Sequence, residues 1–269
     1  MERCDFLPVS AEEMHERGWW WYDALVVGGD AYVDHPSFGT AVISRVLEAE
    51  GLRVAVLAQP DWHDAEAFRA MGRPRLGVFI GAGNLDSMVA HYTAAKRRRS
   101  EDFYSPGKRI GCRPDRAAIV YCNRAREAFG PDMPIILGSL EASLRRFAHY
   151  DYWDDSVRRA ILFDAPADLL VYGMGEAATI EIAHRLKKKQ SVRTMTDIPG
   201  TGYITREPET CAFDHITLPS FEDVRDDKRL YAEATRTEYA EHDPIRGRAM
   251  IQPCEGRYLV TVSYTHLTL

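Results

Sequence analysis

Four short apolar runs, each broken off by glycine, constrain this chain more than any other feature. They are Ala24-Leu25-Val26-Val27 before Gly28-Gly29, Leu76-Gly77-Val78-Phe79-Ile80 before Gly81, Pro134-Ile135-Ile136-Leu137 before Gly138, and residues 168–172 before Gly173. Apolar runs without strict alternation read as strands buried on both faces, as in a parallel sheet. Helical patterns separate them. Pro36 or Ser37 opens a helix to Glu50, stopped by Gly51, and Arg53-Val54-Ala55-Val56-Leu57 is a further strand. Short helices are expected at 64–71, 85–96, 124–129 and 140–147, a strand at 117–122, and a helix over Glu176 to Lys188. Six strands alternating with helices predict an α/β chain with a doubly wound, mostly parallel sheet.

The pattern is interrupted once and then fades. Residues 97–115 are polar, with Ser105-Pro106-Gly107, and read as an irregular insertion. After Gln190 the segment 191–260 reads as a linker and helical extension following a first domain at 1–190. An edge strand over 213–218, a charged helix from Pro219 to about Tyr239 and a strand near 258–262 are expected within it.

Ligands of open α/β sheets bind beyond the carboxyl ends of the strands. The candidate loops are Gly28-Gly29-Asp30, Gly81-Ala82-Gly83-Asn84, Gly138-Ser139-Leu140-Glu141 and Gly173-Met174-Gly175-Glu176. Glycine admits a ligand to the backbone, and the following helix offers free N–H groups to an anion. None of these loops is Gly-x-Gly-x-x-Gly, and Gly-Lys-Ser/Thr is absent, which argues against a dinucleotide fingerprint and a P-loop. Glu141 and Glu176 stand at helix starts, where capping competes with a catalytic reading. Asp34 and His35 occupy the first loop, His35 being the best single candidate for a ligand or base. The segment from Arg145 through His149, Tyr150 and Trp153 suits a domain interface better than a flat ligand. The same weighing applies to Trp19-Trp20-Trp21-Tyr22.

The net charge of −6, from 34 basic and 40 acidic residues, gives no global pull toward nucleic acid or anionic membrane. The runs Lys96-Arg97-Arg98-Arg99 and Lys187-Lys188-Lys189 each end an expected helix, where cations suit the dipole. They read as solvated faces rather than an RNA site. No apolar run has the length of a membrane span, and the first residues lack a signal-peptide pattern, so a cytoplasmic location is expected. Cys4, Cys112, Cys122, Cys211 and Cys254 are too scattered for a disulfide framework or for Cys-x-x-x-Cys-x-x-Cys.

The stretch from Gly28 to Gly39, GGDAYVDHPSFG, resembles the opening of YgiQ-type radical SAM proteins. So do Arg73-Pro74-Arg75-Leu76, Asp86-Ser87-Met88-Val89, the run from Glu141 to Trp153 and the run from Asp168 to Glu176. The resemblance spans about Phe6 to Tyr258. It implies a Rossmann-like, cobalamin-binding-like N-terminal domain of an enzyme that binds a [4Fe-4S] cluster and cleaves S-adenosylmethionine. Its three cluster cysteines would lie in a barrel beyond residue 269, which is the expected partner, so no cofactor is expected in this stretch itself. Residues 261–269 leave the family pattern and resemble translated sequencing-adapter read-through, pointing to a truncated gene. Base-off cobalamin domains carry Asp-x-His-x-x-Gly after the first strand. Here Asp34 and His35 are adjacent and Gly39 lies four residues on, so cobalt ligation by His35 is not expected, while other modes of cobalamin binding stay open. Two classes remain: part of a radical SAM enzyme, or a stand-alone, non-catalytic ligand-binding module for a corrinoid or nucleotide.

Overall fold

The computed structural model describes residues 6–243 and 245–263. In chain order its elements are α1 (Ala11–Glu16), β1 (Ala24–Gly28), α2 (Gly39–Ala49), β2 (Val54–Ala58), α3 (Glu66–Ala70), β3 (Gly77–Ile80), α4 (Ser87–His91), α5 (Ala117–Phe129), β4 (Ile135–Leu137), α6 (Ser139–Leu144), β5 (His149–Asp151), β6 (Ser156–Arg158), β7 (Leu169–Val171), α7 (Glu176–Lys187), β8 (Thr201–Thr205), β9 (His215–Thr217), α8 (Phe221–Asp226), α9 (Lys228–Ala240), β10 (Ala249–Cys254) and β11 (Arg257–Thr261). The fold is α/β, built on a nine-stranded sheet in the order β2-β1-β3-β4-β7-β8-β11-β10-β9. The first five strands are parallel. From β7 onward the pairing turns antiparallel through β8, β11 and β10, and β9 closes the far edge parallel to β10.

Strand pleating sorts the apolar residues onto two faces. Leu25, Val27, Val78, Ile80, Ile135 and Leu137 pack under α3 and α5, around Phe68, Tyr121 and Phe129. Val26, Val56, Phe79, Ile136 and Val171 face α2 and α7, against Leu47, Ile182 and Leu186. Both faces are covered, which is why these strands carry no polar alternation. The chain order reverses between β1 and β3, a topological switch point. Among the described residues no helix is long and apolar enough to cross a membrane.

Three expectations are corrected. Residues 117–122 are not a strand but the first half of α5. Their burial at Ala117, Ala118, Tyr121, Cys122, Ala125 and Phe129 has helical spacing, which a six-residue window hides. The helix expected over 85–96 ends at His91, because Tyr92 turns extended and Arg99 N–H bonds back to the His91 carbonyl at 2.7 Å. The segment read as a linker supplies β8 to β11 to the same sheet, besides α8 and α9. Its β10–β11 hairpin turns at Glu255 and Gly256, both at positive φ (49° and 70°), the geometry of a type I′ turn. Asn-Gly or Asp-Gly would have announced it; Glu-Gly does not. Thr261 and Val262 belong to this sheet's hydrogen bonding, and the remainder of the stretch 261–269, from 264 on, lies outside the described residues.

Candidate functional site

The carboxyl ends of β1, β3, β4 and β7 meet at one edge, where a cavity of about 300 Å³ opens between the sheet, α2 and α7. Val26, Phe79, Ile136 and Val171 form its floor, and Val42 and Ile43 of α2 line one wall. Thr40, Ser139, Thr179 and Glu176 are its polar groups, while Gly138, Gly173, Met174 and Gly175 form part of the rim. Among the described residues the lining holds no histidine, cysteine, lysine or arginine. Such a chamber suits holding an apolar group with a few hydroxyl contacts.

The loops are fixed tightly around it. A Cβ on Gly29 would fall 1.9 Å from the Ala82 carbonyl oxygen, so β1 and β3 loops touch backbone to backbone there. Gly28 sits against the Thr40 side chain. Ser139 adopts φ +74°, a strained conformation for a residue with a side chain, and its Oγ accepts the Ala82 N–H at 3.1 Å. Asn84 accepts the Gly39 N–H at 3.2 Å and donates to the Ser37 carbonyl at 2.8 Å, tying the β3 loop to the start of α2.

Most of the charged candidates are engaged within the scaffold. Asp30 is buried, accepts the Asn84 N–H at 2.7 Å and lies 2.9 Å from Arg113 Nη1. Burial pushes its carboxyl above the usual range, against the pull of Arg113. Arg113, itself fully buried, also donates to Asp102 through Nε at 3.1 Å and Nη2 at 3.2 Å, and to the Ala82 carbonyl at 3.3 Å. This Asp30–Arg113–Asp102 group clamps the insertion onto the β1 and β3 loops. Gln59 assists, donating to the Gly29 carbonyl and to Ser105 Oγ.

Asp34 pairs with Arg45 on α2, with Nε donating at 3.0 Å. His35 is exposed, and its Nδ1 accepts the Ser37 N–H at 3.1 Å. That bond favours the tautomer protonated on Nε2, which is not the form that ligates cobalt through Nε2. Glu141 is fully buried and caps two helices other than its own: Oε2 accepts the Ser87 N–H of α4 at 2.9 Å, and Oε1 accepts the Ala118 N–H of α5 at 3.1 Å. Its surroundings raise its pKa, chiefly by burial. Glu176 is the one acidic candidate that borders the cavity.

The aromatic segment lies elsewhere. His149 and Tyr150 belong to the β5–β6 hairpin, and Trp153 to its turn. His149 Nδ1 donates to the Phe147 carbonyl at 3.0 Å, and burial lowers its pKa. Tyr150 is exposed, with its hydroxyl on Asp155. Trp153 packs on Tyr92 with ring centroids 4.6 Å apart, and Lys96 Nζ donates to its carbonyl at 3.1 Å. The hairpin thus folds back on this chain's insertion. At the opposite end of β1, Trp21 is sandwiched between the guanidinium groups of Arg53 and Arg75, at 3.9 and 3.5 Å.

Sequence reasoning missed Arg113, Asp102 and Thr40, and placed Ser139 in a candidate loop without giving it a role. No periodicity marks a single arginine in a polar loop as buried; only the flanking Gly111-Cys112 and Pro114 hinted at a tight path. The thiols do not fit a [4Fe-4S] cluster: Cys122 and Cys254 are buried in different cores, and among the described residues no group of three or more His, Cys, Asp or Glu side chains is placed to hold a metal ion. Cys4 lies outside the described residues.

Residues 6–268 match the family described as Radical SAM N-terminal. The chain is 52% identical over 260 residues to a UPF0313 protein of Clostridium botulinum and 51% identical over 260 residues to one of Clostridium perfringens. Each alignment takes in 97% of this chain but only 40% and 39% of the relative, so the chain spans about two-fifths of the length of the curated relatives it matches. Among solved structures, the radical S-adenosylmethionine methyltransferase TsrM from Kitasatospora setae, with cobalamin and a [4Fe-4S] cluster bound, is similar at 20% identity and a TM-score of 0.41, over 67% of this chain and 26% of that one.

Proposed function

Because the chain belongs to the Radical SAM N-terminal family, we propose that it serves as the substrate-side domain of a radical S-adenosylmethionine enzyme. In this reading the chemistry of cluster and S-adenosylmethionine is supplied by the portion of the full-length relatives that this chain does not span. This chain's own residues bind and shield. The observation that carries the reading is the cavity at the switch-point edge together with the apolar side chains left open around it. Met174 is 80% exposed on the rim, and α6, whose first residue Ser139 lines the cavity, leaves Leu140 and Leu144 45% and 60% exposed. Large apolar side chains left exposed on the elements that border the cavity support a surface that another body covers. Covering it would close the cavity and exclude water, which radical chemistry requires.

The test mixes this chain with the separately produced C-terminal three-fifths of the Clostridium botulinum relative. Association should be measurable by calorimetry and weakened by Leu144→Asp and Met174→Asp, while both variants keep the parent's thermal transition. Binding that ignores both substitutions, or no binding, would overturn the docking. The apolar lining also favours a second reading, a stand-alone module that takes a corrinoid or nucleotide into the cavity. Saturable binding of cobalamin or of adenosine nucleotides by the chain alone, lost in Thr179→Trp, with no association to the C-terminal portion, would select it.

A further inference from the structure

The explanation that the sequence offered for the basic run at 96–99 does not survive in the structure. α4 ends at His91, so these cations neutralise no helix terminus. They stand on the insertion that Arg113 clamps to the carboxyl edge. Between Lys96 and Arg109 lie six basic residues, Lys96, Arg97, Arg98, Arg99, Lys108 and Arg109, against two acidic ones, Glu101 and Asp102. Asp102 is buried in its pair with Arg113, and Glu101 lies 3.7 Å from Lys108. All six basic residues are exposed, and among the described residues none of Lys96, Arg97, Arg98, Arg99 and Arg109 forms an ion pair. In a chain of net charge −6 this is a local inversion of sign.

Three of the six cations border a concavity, together with Glu101 and the buried Asp102. Arg97, Arg98 and Arg99 border a groove of about 550 Å³ whose apolar lining includes Leu85, Val89, Phe103 and Tyr104. Phe103 is 74% exposed, with Lys108 Nζ 4.8 Å from its ring centroid. An exposed aromatic ring beside guanidinium groups without carboxylate partners, of which Arg99 is steadied through Nε by the Val89 and Tyr92 carbonyls at 3.0 and 3.1 Å, has two functions to offer at once. Arginine forks take phosphate oxygens bidentately, and the ring stacks on a planar base. We propose that this groove binds a single-stranded nucleic acid, phosphates along the arginine rim and a base on Phe103. A bilayer is too flat to reach into a concavity, and a run of aspartate and glutamate brings charge but no regularly repeated planar ring to match Phe103. This surface lies on the chain itself and is independent of the docking proposed above.

The test uses the full chain and fluorescein-labelled single strands of mixed sequence, about 15 nucleotides long, one RNA and one DNA, followed by anisotropy between roughly 50 and 200 mM salt. Affinity should fall with salt at about 0.7 logarithmic units per phosphate contact. Arg97→Ala/Arg98→Ala should flatten that slope by about 1.4, the loss of two contacts. Phe103→Ala should weaken binding roughly tenfold and leave the slope unchanged, because stacking releases no counterions. Lys187→Ala/Lys188→Ala, at the far end of α7, should bind as the parent does. Circular dichroism melts of all variants separate lost contacts from lost fold. Binding of RNA alone would add a contact to the ribose hydroxyl, and binding of both strands would make the site sugar-blind; both uphold the proposal. It is overturned by no binding below about 100 μM at low salt, by equal loss in the lysine variant, or by indifference to Phe103→Ala. Equal affinity for a poly-glutamate peptide or for phosphatidylserine vesicles also overturns it.

Discussion

Arg113→Met removes the one cation that two buried carboxylates share. The side chain is fully buried and of comparable length, so the variant loses charge and hydrogen bonds more than volume. Gone are the contacts to Asp102 at 3.1 and 3.2 Å, to the Ala82 carbonyl at 3.3 Å and to Asp30 at 2.9 Å. Asp102 keeps the Tyr104 N–H at 2.9 Å and Ser105 Oγ at 3.0 Å, while Asp30 keeps only the Asn84 N–H at 2.7 Å. Breaking a buried pair from one side costs about 3–5 kcal/mol, and the upper half of that range is expected here because two carboxylates are left. The pH dependence gives a sharper check. Burial already holds the Asp30 carboxyl above its ordinary range, and removing the cation raises it further. An acid whose pKa is higher folded than unfolded costs stability above the folded pKa. That cost is relieved as pH falls toward the unfolded value of about 3.9. The gap between parent and variant should therefore shrink from pH 8 toward pH 5. Urea unfolding followed by tryptophan fluorescence at both pH values measures it. A loss under about 1 kcal/mol at pH 8, or a gap that widens on acidification, would refute the clamp.

The remaining expectations test other joints of the same edge. Glu141→Gln places an amide donor against one of two N–H groups, from Ser87 or Ala118, and should cost about 2 kcal/mol in thermal unfolding; a neutral result would mean that the carboxyl caps neither helix. Gly29→Ala, whose Cβ meets the Ala82 carbonyl oxygen at 1.9 Å, should lower the melting temperature strongly or prevent soluble expression. Gly39→Ala, with open space at its Cβ and a helical position in α2, should raise stability by about 0.5–1 kcal/mol. Burial pushes Glu238 up to about 7, so it costs stability increasingly above the unfolded pKa and fully above pH 7. Glu238→Gln should gain about 1–2 kcal/mol at pH 8, discounted because the side chain is partly exposed, and nothing near pH 4.5; an equal gain at both would exclude the titration.

Legibility followed the range of the interactions. The strands β1, β2, β3, β4 and β7 were readable because double burial makes each a contiguous apolar run. The glycine ends were readable because backbone geometry is local. Residues 117–122 misled because Ala-Ala-Ile-Val-Tyr-Cys has too short an apolar run to separate strand from helix. What decides it is a cap from Glu141, 23 residues away along the chain. Of the extension, β9 and β11 fall where strands were expected, near 213–218 and 258–262, whereas β8 and β10 stayed hidden because the hairpin turn residue is glutamate and β8 finds its β11 partner more than fifty residues away. Of the candidate site, the sequence located the edge but not the assignments: Asp30, Asp34 and Glu141 stood in the right loops, yet their partners Arg113, Arg45 and Ser87 were beyond any local pattern.

Those partners change what the edge can do. Asp30, Asp86, Glu141 and Asp102 lie at or beside the glycine loops, and each already accepts bonds from backbone N–H groups, from arginine or from both. A carboxylate held by two or three donors is fixed in place, with the lone pairs that a substrate would need already occupied. Four acids committed in this way make a rigid rim, and rigidity is what a cavity needs to receive a ligand without ordering itself first. Two kinds of surface remain uncommitted beside that rim: the apolar chamber with Leu140, Leu144 and Met174, and the arginine groove with Phe103. They differ in chemistry, one suited to burial against another protein body and the other to a polyanion in water. They share the β1 and β3 loops as a common support, through Ala82 and the Arg113 clamp. A strand held in the groove would therefore lie at a fixed distance from the chamber, and loosening the clamp with Arg113→Met should weaken nucleic-acid binding even though Arg113 itself touches no solvent.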